Sequence, residues 1–87
     1  MQTIIVKVLN DEGLHARPAG MLVKAASTFS SEIELSVDGD TANAKSIMSI
    51  MGLGLTKDTM VTITAKGLDA EAALKELTSL FNNKFHL

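Results

Sequence analysis

The sequence contains no cysteine, no tryptophan and no tyrosine. Without cysteine there is neither a disulfide framework nor a thiolate metal site, which is compatible with a reducing compartment. Phe29, Phe81 and Phe85 are the only aromatic residues, too few for a platform on which nucleic-acid bases could stack. No basic run exists and the formal net charge is −2, so the footprint of a phosphate-backbone binder is missing and no direct contact with nucleic acid is expected. The apolar run in MQTIIVKVLNDEG is too short for a signal peptide or a membrane span. No membrane insertion is expected, and a cytoplasmic location is. Linkers, internal repeats and low-complexity segments are also absent.

What is present suits one soluble domain spanning 1–87. Of the 87 residues, 46% are hydrophobic and 21% charged, a globular balance rather than a disordered one. A chain this short buries only ~60% of its unfolded surface, so it has room for a single core, built of Ile, Val, Leu, Met and Ala. TIIVKVL (3–9) predicts a strand with Ile4, Val6 and Val8 on one face. From Ala16, the spacing of Ala19, Leu22, Val23, Ala26 and Phe29 predicts a helix. Residues 32–37 alternate and meet Asp38-Gly39, a tight-turn signal that folds them onto roughly 40–44 as a hairpin. Residues 46–51 predict a short helix capped by Ser46 and closed by Gly52 and Gly54. Residues 60–66 alternate as a strand. Ala70, Ala73, Leu74, Leu77 and Phe81 mark a final helix with Asp69 as the expected N-cap. The order β-α-β-β-α-β-α, with one apolar stripe per helix, predicts an α+β fold. Its form is an open-faced β-sandwich with a four-stranded, mostly antiparallel sheet and three helices on one face.

The chemistry concentrates in GLHARPAG, residues 13–20, with one of two histidines and the only proline. His15 stands at the predicted helix start, where orphan N–H groups and the positive end of the helix dipole favour a neutral, nucleophilic imidazole and welcome an anion. Arg17 adds a cation shaped for phosphate oxygens. Pro18 fits the first turn, where a missing N–H matters little. Nothing nearby supplies a second base, a metal or a hydrolytic water, so no cofactor is expected. These residues suit a group that accepts a phosphoryl unit and hands it on. On local physics alone they suit a solvated helix cap beside a surface arginine better still, since helix starts with a nearby His and Arg are common.

GLHARPA (13–19) together with AKSIMSIMGLG (44–54) resembles HPr, the histidine-containing phosphocarrier family of the bacterial phosphoenolpyruvate-dependent sugar phosphotransferase system. The resemblance spans essentially the whole chain. It implies that His15 is phosphorylated by enzyme I and donates to the A domains of sugar permeases. Arg17 and the backbone amides of Ala16 and Arg17 would steady the phosphate. Ser46 matches the family's regulatory serine, phosphorylated in many Gram-positive bacteria by HPr kinase/phosphorylase, after which such proteins serve a catabolite-control transcription factor as corepressors. Gly20, Lys24, Lys45, Ile47, Met48 and Met51 would form an apolar partner surface ringed by positive charge. Met51 is the residue most open to a core role instead. A carrier of this kind is no enzyme in the turnover sense, and a shuttle is expected to be a monomer.

Two other readings within the family are a regulatory paralogue acting mainly through Ser46 and a nitrogen-branch phosphocarrier. His15 argues against the first, and the Lys-Ser-Ile-Met run (45–48) against the second. Glu12 departs from the small polar residue usual in the family and brings a carboxylate that would oppose a phosphate on His15. His86 matches no family motif and is expected to be solvated.

Overall fold

The computed structural model describes residues 1–86. Its elements are β1 (Gln2–Lys7), α1 (Ala16–Ala26), β2 (Glu32–Val37), β3 (Asp40–Asn43), α2 (Ile47–Gly52), β4 (Met60–Lys66) and α3 (Ala70–Asn82). The sheet order is β1-β4-β2-β3. All three strand pairs are antiparallel, so the expected mostly antiparallel sheet is entirely so. The reason is the placement of β4. The crossover through α1 leaves β1 and β2 one strand apart, and β4 returns between them.

Period-two alternation does what it promised. Ile33, Leu35, Val61, Ile63 and Ala65 are buried on the helix side, and Glu32 and Glu34 are exposed on the other. Across that open face the Thr3 and Thr64 hydroxyls lie 3.3 Å apart, one donating to the other. Leu22, Ala26, Leu74, Leu77 and Phe81 close the core from α1 and α3. Each fully buried Leu, Ile, Val or Phe side chain contributes roughly 1.5–3 kcal/mol. Asp38 and Gly39 both carry positive φ, 51° and 88°, the geometry a two-residue hairpin with right-twisted strands requires.

β1 ends at Lys7, two residues before the predicted limit of Leu9. Val8 stays buried, but its backbone leaves the regular ladder. Its N–H donates to Thr59 O at 2.9 Å and its carbonyl accepts from Asp58 N–H at 2.8 Å, in the turn ahead of β4.

Asp69 corrects a second expectation. It precedes α3, yet its side chain makes no capping bond to that helix. The carboxylate accepts instead from the Ser31 hydroxyl, from Ser30 N–H at 2.8 Å and from Ser31 N–H at 2.9 Å. It thereby ties the start of α3 to the segment between α1 and β2. Ser31 is the one buried polar residue among those described, and this carboxylate is what satisfies it. Gly67 packs against the same corner: a Cβ there would fall 2.6 Å from Ser31 Oγ and 2.8 Å from Ser31 Cα.

The Ser31 hydroxyl, with the two backbone donors, holds the Asp69 carboxyl down at about 2. An unfolded aspartate titrates near about 4. The folded value is the lower one, so this stabilisation is complete above about pH 4 and disappears as pH falls through about 2. Asp69→Asn is expected to flatten that part of the acid dependence. Urea unfolding of both proteins from about pH 6 downward tests it, and identical acid slopes would exclude Asp69 as the linked group.

Candidate functional site

The loop between β1 and α1 is fastened before it reaches the histidine. Gly13 N–H donates to Asn10 O at 2.9 Å, and Leu14 N–H donates to Leu55 O at 3.0 Å. Leu14 itself is buried in the core. Between these two bonds Gly13 adopts φ +70°, and a Cβ on it would lie 2.3 Å from Leu55 O. Only glycine satisfies both the left-handed backbone and the close approach.

His15 follows as the N-cap of α1, with extended backbone and no capping bond from its side chain. Its carbonyl accepts the first helical bond, from Ala19 N–H at 3.0 Å. The imidazole is therefore free of structural duty, and its side chain is 47% exposed. The N–H groups of Ala16 and Arg17 belong to the helix's first turn, where no intrahelical acceptor exists, and Pro18 has none to satisfy.

His15 and Arg17 line one shallow depression of about 270 Å³, together with Asn10, Asp11, Glu12, Pro18, Met21 and the C-terminal residues Lys84, Phe85 and His86. Glu12 places Oε2 3.9 Å from His15 Nε2. Asp11 is turned to Lys57, 3.0 Å away, whose hydrogen bond holds the Asp11 carboxyl below its ordinary value. The loop thus presents two carboxylates in different states, one paired and one facing the imidazole. Among the described residues, no cluster of His, Cys, Asp and Glu could hold a metal ion.

The C-terminal wall was not foreseen in the sequence. After α3, Phe85 folds back and is buried edge-on to Phe81, ring centroids 5.0 Å apart at 64°. Lys84 and Phe85 both adopt positive φ, 58° and 60°, and Phe85 N–H donates to Leu80 O at 2.8 Å. Asn10 Nδ2 then donates to Lys84 O at 3.0 Å, which latches the tail to the loop carrying His15. His86 is exposed, as expected, but stands at the rim of the depression rather than away from it. The available signal was Phe85, an apolar anchor one helical turn beyond Phe81.

Ser46 caps α2, its hydroxyl accepting from Ser49 N–H at 3.3 Å. It lies outside the depression around His15. Ile50, 1% exposed, is the residue α2 sends into the core, while Ile47, Met48 and Met51 stay 41%, 79% and 42% exposed. Met51 is therefore a surface residue. Gly20 brings α1 against α2: a Cβ there would be 3.9 Å from Ile47 Cδ1. The apolar surface thus continues from α1 onto α2. Lys24 is exposed in the last turn of α1. Lys45 is half-buried, and its ammonium donates to Phe29 O at 2.7 Å, so that charge is partly engaged in joining the segment between α1 and β2 to the start of α2.

The family profile described as the PTS HPr component phosphorylation site matches residues 2–83. The chain belongs to the HPr family. A phosphocarrier protein HPr from Buchnera aphidicola subsp. Baizongia pistaciae is 43% identical over 72 residues, covering 83% of this chain and 85% of that protein. HPr-C-His from Thermoanaerobacter tengcongensis superposes with a TM-score of 0.95 at 45% identity, covering 98% of this chain and 96% of that one. The HPr dimer from the same organism gives 0.80 at 44% identity, with each chain fully covered (100%). HPr membership supports a phosphocarrier role in the phosphotransferase system for this chain. No helix among the described residues is long and apolar enough to cross a membrane.

Gly13 is a point where the loop geometry is vulnerable to substitution. Gly13→Ala is expected to cost at least about 2 kcal/mol, from the left-handed backbone plus the contact with Leu55 O. Urea denaturation measures it, and a loss below about 0.5 kcal/mol would mean that the loop relaxes freely.

Proposed function

We propose that the chain accepts a phosphoryl group on His15 from phospho-enzyme I and passes it to the A domains of sugar permeases. The carrying observation is the uncommitted imidazole of His15 at the start of α1, in one depression with Arg17, in a chain of the HPr family. The imidazole lone pair attacks phosphorus while the donor's P–N bond breaks and its electron pair returns to the donor ring. Arg17 and the amides of Ala16 and Arg17 supply positive charge to the phosphoryl oxygens, which is most of what such a transfer needs. The P–N bond keeps the group transferable. The protein is then a covalent substrate and donor for others, not a catalyst. A carrier that must present the same depression to donor and acceptor in turn is proposed to work as a monomeric shuttle in the cytoplasm.

Ser46 is proposed as a second, regulatory phosphorylation site, written by HPr kinase/phosphorylase and read by a catabolite-control transcription factor. A phosphate there adds about −1.5 to −2 charge at a helix start, where it is tolerated. It would sit beside the exposed Ile47 and Met48 and repel an acidic partner approaching that face.

Incubation with enzyme I and phosphoenolpyruvate, followed by intact mass, tests the first proposal. One acid-labile phosphoryl group is expected on the wild-type chain and none on His15→Ala, whereas full labelling of the variant removes the assignment. Ser46→Asp keeps an acceptor for Ser49 N–H and so the fold, and is expected to slow labelling at His15 by about tenfold or more, on the scale of one or two charge repulsions. An unchanged rate would exclude regulation through this face.

A further inference from the structure

We propose that Glu12 is a positioning residue for phosphoryl transfer: its carboxylate keeps the proton on His15 Nε2, leaving Nδ1 to take and release the phosphoryl group. The inference rests on the reading of His15 as the acceptor.

Three observations carry it. Glu12 Oε2 stands 3.9 Å from Nε2, with the side chains 81% and 47% exposed and so free to close the remaining gap. The spacing of the two residues is set by the loop itself, through Gly13 N–H to Asn10 O and Leu14 N–H to Leu55 O. Glu12 also has no other ionic partner among the described residues, whereas Asp11 next to it is paired with Lys57 at 3.0 Å. Of the two carboxylates in the loop, one is committed elsewhere and one faces the ring.

A neutral imidazole has one N–H and one lone pair, and an acceptor beside one nitrogen fixes which is which. With Glu12 at Nε2, the lone pair is on Nδ1. When the phosphoryl group arrives, the Nδ1 pair forms the new N–P bond and the donor's P–N bond breaks, its pair staying with the donor ring. His15 then carries phosphoryl on Nδ1 and hydrogen on Nε2, a cationic ring facing an anion. On departure the acceptor's lone pair attacks phosphorus, the N–P pair returns to Nδ1, and the ring leaves as neutral imidazole with Nε2–H intact. Had that proton been lost, the ring would have to leave as imidazolate, a far poorer leaving group. The carboxylate thus opposes the phosphate through space, yet favours the protonation state from which the phosphate can leave.

The other charged groups around the depression are Asp11 on the loop, Arg17 on α1, and Lys84 and His86 on the C-terminal segment. The three basic residues oppose a cationic ring. Asp11 favours it, but with its charge already turned to Lys57.

The test uses the full chain as wild type, Glu12→Gln and Asp11→Asn, each phosphorylated with enzyme I and phosphoenolpyruvate. Protonation of the phosphorylated ring is followed by nitrogen NMR against pH, alongside the rate of phosphate loss. Glu12→Gln is expected to move the protonation midpoint about 0.3–0.5 unit to lower pH and to slow phosphate loss near neutrality about two- to threefold, the size of one exposed ion pair. Asp11→Asn, which removes the same charge one residue away, is expected to leave the midpoint in place. A midpoint unchanged in Glu12→Gln overturns the proposal. So does an equal shift in both variants, which would mean a diffuse field rather than a contact at Nε2. Failure of the wild-type chain to be labelled, by an enzyme I that labels another HPr, overturns the reading of His15 and this inference with it. Labelling with an unmoved midpoint overturns this inference alone.

Discussion

The loop before α1 is held by a left-handed glycine between two backbone hydrogen bonds, and the site depends on that fastening. Gly13 turns the chain so that Leu14 enters the core while His15 emerges on the surface. Were the loop loose, the imidazole could fold back and cap its own helix, a local bond that competes for any polar side chain at such a position. Instead Leu55, from the segment leading to β4, takes the Leu14 N–H and leaves the ring unspent. Arg17 is then two residues into a helix whose direction is set by Ala19, Leu22 and Ala26 in the core. The chemistry is local, but its geometry is fixed by contacts with residues some forty positions away in sequence.

The same economy appears at the far side of the depression. The C-terminal segment is secured by an aromatic pair beneath it and by one amide bond, Asn10 Nδ2 to Lys84 O, across it. Two successive non-glycine residues with positive φ are a local expense that packing must offset. Burial of Phe85 at 2% exposure is the offset at hand. Loop and tail therefore form one unit, and Lys84 and His86 bring basic side chains to the rim around His15.

Much of this was legible in the sequence, for identifiable reasons. Strands with one wet face alternate with period two, so β2 and β4 fell where Ile33, Leu35, Val61 and Ile63 put them. The Asp38-Gly39 hairpin is a two-residue code that needs no tertiary information. The places of His15 and Ser46 as N-caps, and of Arg17 in the first turn, were visible because helix starts have a recognisable grammar, and the family was visible because two motifs stand at a fixed separation. What escaped depended on partners distant in the chain. β1 stopped at Lys7 because Val8 found the turn at Asp58 and Thr59. Asp69 gave up its own helix for Ser30 and Ser31, and Lys45 turned to Phe29. No local pattern announces which distant donor or acceptor a short polar or long basic side chain will choose. The C-terminal latch was hidden for the same reason, although Phe85 was the clue to it.

α2 divides its apolar residues between two places: Ile50 is sealed in the core, while the side chains of Met48 and Met51 reach the surface. Sulfur in that position is open to oxidants, and a sulfoxide is polar where a thioether is not. Because the buried position is a hydrocarbon, oxidising the two exposed methionines would alter the apolar surface of α2 and leave the packing beneath it untouched. The polarity of this surface would thus change in a folded chain, and methionine sulfoxide reductases would restore it without refolding.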